Sequence, residues 1–224
     1  MKFVLAIAAA AAIGYLLGSC NFSIIVVRLL KGEDIRTMGS KNAGLTNTLR
    51  CCGKGCALLT LIGDLGKGVA AVALSRLVCS LLDAGLSPGN DVHYIGYVAG
   101  LFAIIGHIFP IYYGFKGGKG VLVGVSTFII VDWRVFCILI GIFIVILAVS
   151  KYVSLSSIIA TACCPPVAFL VELLIRDNTL GRCVLYAVLA IPMASIIIWM
   201  HRSNIQRLKN GTENRFSFSS SKNK

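Results

Sequence analysis

Residues 113–121 read Tyr-Gly-Phe-Lys-Gly-Gly-Lys-Gly-Val and lie between two long apolar runs. Glycines let a backbone bend closely around a ligand, and Lys116 and Lys119 add positive charge. The ligand class this suggests is an anion, and phosphate above all, with Gly117, Gly118 and Gly120 shaping the loop. It is not a P-loop. That motif needs four residues between its glycines and a hydroxyl after the lysine, whereas Gly114 and Gly118 are separated by three residues and Gly120 follows Lys119.

A second cluster spans Asp34 to Arg50. Ser40, Asn42, Thr46 and Asn47 are short hydrogen-bonding side chains around Gly39 and Gly44, and Arg50 brings a guanidinium fork suited to phosphate. A helix starting near Gly44 would add backbone donors. Two smaller features follow. Ser150-Lys-Tyr-Val-Ser-Leu155 is a short polar turn with Ser154 just inside the next apolar run. In His201–Glu213, His201 and Asn204 share a face on a continuing helix, close to Arg207. Gly63–Gly68 places Asp64 and Lys67 three residues apart inside an apolar run. Ionisable groups there are costly and pair or line a polar cavity, so both are read as structural.

The elements that must hold these clusters are membrane helices. The 224-residue chain is 57% hydrophobic and 13% charged, against about 25% charged in soluble domains. Apolar segments fall at 3–30, 56–82, 94–113, 119–131, 133–149, 152–175 and 183–200, which predicts seven spans, the fourth a short one. Small residues around Cys20 imitate a signal cleavage site, but the apolar run continues beyond them, so residues 3–30 are read as a retained helix. With seven spans, loops 31–55 and 114–119, the turn at 150–151 and the tail from 201 share one side. They carry two thirds of the 21 lysines and arginines, so that side is cytoplasmic, the N-terminus is outside and the C-terminus inside. The net charge of +12 is thus explained by topology, and nucleic acid is excluded as a partner. The nine cysteines form no C-x-x-C pair, and no histidine lies at zinc-site spacing from them; neither metal nor cofactor is expected.

The stretches GEDIRTMGSKNAGLTNTLR, GDLGKG, GHIFPIYYGFKGGKGV, SKYVSL and HRSNIQRLKNGTE, in this order, resemble the bacterial acyl-phosphate:glycerol-3-phosphate acyltransferases over roughly residues 14–213. The resemblance implies an all-α, seven-helix enzyme of the bacterial cell membrane, a single polytopic domain over 1–213, its site facing the cytoplasm. It would act as a monomer, moving a fatty acyl group from acyl phosphate to the 1-hydroxyl of glycerol 3-phosphate. By the same resemblance Ser40, Arg50 and Asn204 hold glycerol 3-phosphate, Lys116, Ser154 and His201 hold the acyl-phosphate head, and Glu213 is structural. The family's acyl-phosphate oxygen is thought to accept the hydroxyl proton. The H-x-x-x-x-D pattern of thioester-using acyltransferases is absent: after four intervening residues His93, His107 and His201 are followed by Val98, Tyr112 and Gln206. The chain departs from the family at Lys41, where G-S-G-N is usual, and at Asn21, where G-S-x-P is usual. Residues 214–224 read as a disordered basic tail. The alternative is a small-anion transporter, which internal inverted repeats would favour; none is visible.

Overall fold

The computed structural model describes residues 2–82 and 92–216, and every regular element in them is helical. It divides into two compact units, Met1–Phe136 and Cys137–Lys224.

The first unit contains α1 (Lys2–Ser19), α2 (Phe22–Lys31), α3 (Leu45–Leu81), α4 (Val92–Ile108) and α5 (Val121–Val131). The apolar run expected as one helix over 3–30 is broken at Cys20–Asn21. Asn21 caps α2, its side-chain oxygen accepting from Ile24 N at 3.2 Å. That capping bond accounts for an asparagine where the family has proline, since both residues favour a helix start. The helices pack through small residues: an added Cβ on Gly14, Gly18 or Gly106 would overlap backbone of the facing helix, which brings α1 and α4 into backbone contact. Helix α3 touches α1, α2, α4 and α5 and so forms the centre of the unit. It kinks at Gly53, whose φ of 82° is open chiefly to glycine.

The second unit contains most of α6 (Trp133–Ser150), then α7 (Val153–Ala162), α8 (Cys164–Leu174), α9 (Leu180–Met200) and α10 (Arg202–Lys209). Helices α7 and α8 meet at 45°, with Pro165 and Pro166 in the first turn of α8. Prolines supply no N–H to the preceding turn, so the run cannot stay straight. Helix α9 packs against α7, α8 and α10.

Among the described residues five helical segments are long and apolar enough to cross a membrane, and six if α7 and α8 form one bent span. The first of the five, Lys2–Lys31, includes the α1–α2 break. The expected fourth span is the eleven-residue α5. It covers about 16 Å, half of a hydrocarbon core of about 30 Å.

Candidate active site

Two loops meet at one end of the first unit. Asp34 accepts hydrogen bonds from Arg28 at 2.7 Å and from both Nε and Nη2 of Arg36, at 3.0 and 2.7 Å. The Arg36 guanidinium holds the Asp34 carboxyl well below the usual carboxylate range. Thus fixed, Arg36 donates from Nη1 to the Tyr113 carbonyl at 2.7 Å and the Lys116 carbonyl at 3.1 Å. One side chain therefore ties the Asp34–Arg50 cluster to the glycine–lysine loop. The end of α1 supports the same loop, with the Tyr15 hydroxyl donating to Phe109 O and Ile111 N donating to Ser19 Oγ.

Within the first cluster the expected binding residues divide by exposure. Ser40 and Arg50 are exposed, and Asn42 and Gly44 half-buried. Asn47 is 1% exposed and fully engaged: its amide donates to the Ile35 and Met38 carbonyls and its oxygen accepts from Ser40 N at 3.0 Å. Both N–H donors of its amide are thus taken by the backbone of its own loop. It holds Ser40 in place. Lys41 has a φ of 58°, a conformation that costs a non-glycine residue of order 1 kcal/mol, which explains glycine as the family's usual choice there.

In the second loop Lys116 is exposed, and its amine, like the Arg50 guanidinium, has no hydrogen bond or ion pair to any described residue. The glycines behave differently from expectation. Gly117 N donates to Ile108 O at 3.0 Å and Gly118 N to His107 O at 3.1 Å, so these N–H groups continue the end of α4 and are not aimed at a ligand. A Cβ on Gly117 would overlap His107 O, and one on Gly118 would overlap the His107 ring and Ala43 O. Their need for glycine is contact with protein. Gly120, at φ 83°, starts α5, and Lys119 beside it is half-buried.

Beneath the loops lies the buried Asp64–Lys67 pair, 2.7 Å apart. Lys67 Nζ also reaches Cys20 O at 2.9 Å, satisfying a carbonyl freed by the α1–α2 break, and His107 Nδ1 at 2.9 Å.

The second unit positions the remaining residues. His201, 3% exposed, joins α9 to α10 and donates from Nδ1 to Ile197 O at 2.8 Å. Since a carbonyl only accepts, that nitrogen carries the proton. Asn204 Nδ2 and Arg207 Nε donate to Glu213 at 2.8 and 2.7 Å. Burial disfavours the Glu213 carboxylate, but donors on Asn204 and Arg207, with the Ser154 hydroxyl near by, outweigh it and lower its pKa. Ser154 Oγ is buried near that carboxylate and makes no hydrogen bond of good geometry. The chain beyond Glu213 continues along the α6–α7 turn, Arg215 Nε donating to Tyr152 OH at 3.2 Å and Phe216 N to Lys151 O at 2.7 Å. Of the tail read as disordered, 214–216 are thus engaged, and 217–224 lie outside the described residues.

A prediction follows from Glu213. Its lowered pKa contributes stability that is complete above its ordinary value of about 4.5 and is lost as pH falls through the folded value. Glu213→Ala removes an acceptor from both Asn204 and Arg207 and should cost about 1–3 kcal/mol at pH 7. Thermal unfolding of detergent-solubilised protein checks this; an unchanged midpoint would contradict the clamp.

Sequence reasoning gave no role to Arg36 or His107. The Asp34-x-Arg36 spacing was the available signal for the first. For the second it was an ionisable residue within an apolar run beside the glycine loop.

The family model described as glycerol-3-phosphate acyltransferase matches residues 8–211. The chain is 37% identical over 203 residues to the glycerol-3-phosphate acyltransferase of Clostridioides difficile strain 630, covering 91% of this chain and 92% of the relative. It is 42% identical over 203 residues to that of Halalkalibacterium halodurans, covering 90% and 91%. Two crystal structures of PlsY (YgiH), an integral membrane glycerol 3-phosphate acyltransferase, are similar to it. The glycerol 3-phosphate form aligns with a TM-score of 0.74 at 32% identity, over 93% of this chain and 94% of that one. The lysophosphatidic acid form aligns with a TM-score of 0.70 at 30% identity over the same shares. Residue pattern, helical membrane architecture and relatives agree, and the chain belongs to the glycerol-3-phosphate acyltransferase family.

Proposed function

We propose that the protein transfers a fatty acyl group from acyl phosphate to the 1-hydroxyl of glycerol 3-phosphate, releasing phosphate and lysophosphatidate, in the first acylation step of phospholipid synthesis. The observation that carries this reading is the junction of two phosphate-type loops by Arg36, with the exposed Lys116 amine and Arg50 guanidinium of the two clusters making no bond to any described residue. The related crystal structures, named for glycerol 3-phosphate and lysophosphatidic acid forms, correspond to the acceptor and product of such a transfer.

The chemistry follows from the groups available. The acceptor's 1-hydroxyl oxygen forms the new bond to the acyl carbon, and the bond from that carbon to the phosphate oxygen breaks. The departing phosphate is itself basic enough to take the hydroxyl proton, so no carboxylate–histidine pair is required. Following the family resemblance, Ser40, Asn42, Gly44, Arg50 and Asn204 are assigned to glycerol 3-phosphate. Lys116, Lys119, Ser154 and His201 are assigned to acyl phosphate on the same ground. A cation or hydroxyl on the leaving phosphate and the carbonyl oxygen stabilises charge that develops in the transition state. Asp64, Lys67, Glu213 and Asn47 hold these groups in position, as do Gly117, Gly118 and Gly120.

Purified protein given acyl phosphate and glycerol 3-phosphate should release phosphate and form lysophosphatidate, and acyl thioesters should not replace the donor. Uptake of phosphate into vesicles without acyl transfer would favour the transporter instead.

The orientation belongs to the same proposal: seven spans counting α5, the N-terminus outside, and the active site on the cytoplasmic side of the bacterial cell membrane, in one monomeric domain. The sorting of lysine and arginine supports it. In a cysteine-free background, cysteines at Ser40, Lys116 and Lys209 should resist impermeant thiol reagents on intact cells. One at Pro88, which lies outside the described residues, should react. Reaction at Lys209 from outside would reverse the parity and end the arrangement.

A further inference from the structure

The end of α4 holds a histidine that the mechanism above does not use. His107 is 4% exposed, and its ring is fixed through Nδ1 by Lys67. An ammonium has three N–H donors and no acceptor. Those of Lys67 meet Asp64 Oδ1 at 2.7 Å, Cys20 O at 2.9 Å and His107 Nδ1 at 2.9 Å. Nδ1 of His107 therefore accepts, and the ring proton resides on Nε2. That N–H makes no hydrogen bond to any described residue.

Nε2 abuts Gly118, at a point where the Ala43 carbonyl oxygen of the first loop also closes in, so only a glycine fits between the ring and the two loops. Two residues on, Gly120 begins the eleven-residue α5, and no side chain caps it. An uncapped helix N-terminus carries partial positive charge and unsatisfied N–H groups. A buried, unpartnered donor and an open helix start thus flank the same short loop, with Lys116 and Lys119 on it.

We propose that His107 is a further substrate-binding residue, whose Nε2–H donates to a phosphate oxygen of the substrate seated at residues 116–120. Lys67 acts through it as a positioning residue, fixing the tautomer. The inference rests on the reading that a phosphate-bearing substrate occupies this loop. The shared chemistry is a phosphate group, carried by glycerol 3-phosphate or by acyl phosphate.

Two substitutions separate the roles of the two ring nitrogens. His107→Asn keeps an acceptor near Nδ1 for Lys67 and removes the outer donor, whereas His107→Gln places an amide N–H near the position of Nε2. His107→Asn should raise KM about tenfold for one substrate with kcat within threefold, and His107→Gln should recover most of that affinity. The substrate whose KM moves identifies the phosphate held. Equal KM values in both variants and wild type, or an equal fall of kcat in both variants with KM unchanged, would overturn the proposal. Nitrogen NMR of histidine-labelled wild-type protein, titrated with inorganic phosphate, decides the matter where the variants fail to fold. The His107 Nε2 resonance should move saturably; no movement at high phosphate would reject the site. That titration needs no turnover, so a failure of the acyltransfer reading is told apart from a failure of this one.

Discussion

Replacing Lys116 or Ser154 by alanine should lower phosphate release at least about 100-fold, the loss of roughly 2.7 kcal/mol of transition-state stabilisation. Both are assigned to the acyl-phosphate head, which leaves as phosphate while charge builds on it. Their settings differ. Lys116 is an exposed cation on a loop whose backbone is pinned by Arg36 through its own carbonyl. The backbone anchor survives truncation of the side chain, so Lys116→Ala should fold normally and lose chemistry. Ser154 is 6% exposed at the start of α7, its hydroxyl near Glu213 but unaligned with it. A buried hydroxyl with no aligned partner costs stability and contributes little to the fold. Ser154→Ala should therefore leave the unfolding midpoint unchanged or raise it while turnover collapses. Rates within threefold of wild type for both variants would remove them from the mechanism.

The difference between these two residues shows what the chain made legible. The polar clusters were readable because glycine, lysine, serine and asparagine stand out against apolar runs, and the runs themselves follow from hydropathy. The break at Cys20–Asn21 was not, because a few small and polar residues there are flanked by apolar residues on both sides. What sustains it is Lys67, 46 residues after Asn21, donating to Cys20 O. The bend between α7 and α8 was written in Pro165-Pro166 but lay inside an unbroken apolar segment. Asn47 looked like a ligand because short amides suit phosphate sites, yet its amide serves the backbone of its own loop. Which of two equally suitable partners a polar side chain takes is a tertiary fact. Arg36 illustrates the same limit: its two carbonyl partners are 77 and 80 residues away. The usefulness of Lys41 as a clue was also hidden, since only the φ of 58° turns an odd substitution into a strained one.

Gly117→Ala and Gly118→Ala should each destabilise the protein as well as weaken binding, because the added methyl group meets packed backbone. From the glycine–lysine motif, glycines 117 and 118 are read as a cradle, where a Cβ would occupy space meant for phosphate and raise KM more than it lowers kcat. The packing gives a different outcome. A Cβ on Gly118 would overlap both the Nε2 end of His107 and the backbone oxygen of Ala43, and one on Gly117 would overlap His107 O. Rotating a side chain cannot relieve contact with backbone, so the loop has to lift away from α4. Lifting breaks the Gly117 N–Ile108 O and Gly118 N–His107 O bonds and strains the Arg36 contacts to Tyr113 and Lys116. Two lost buried backbone bonds and the displaced packing together cost about 3 kcal/mol or more. Both variants should unfold at lower temperature, and whatever protein survives should show raised KM for both substrates, because the two loops no longer meet. If either variant kept the wild-type unfolding midpoint while KM rose for one substrate only, the glycine would face the ligand after all. The second loop would then be a cradle whose shape is set by phosphate instead of by His107 and Ala43.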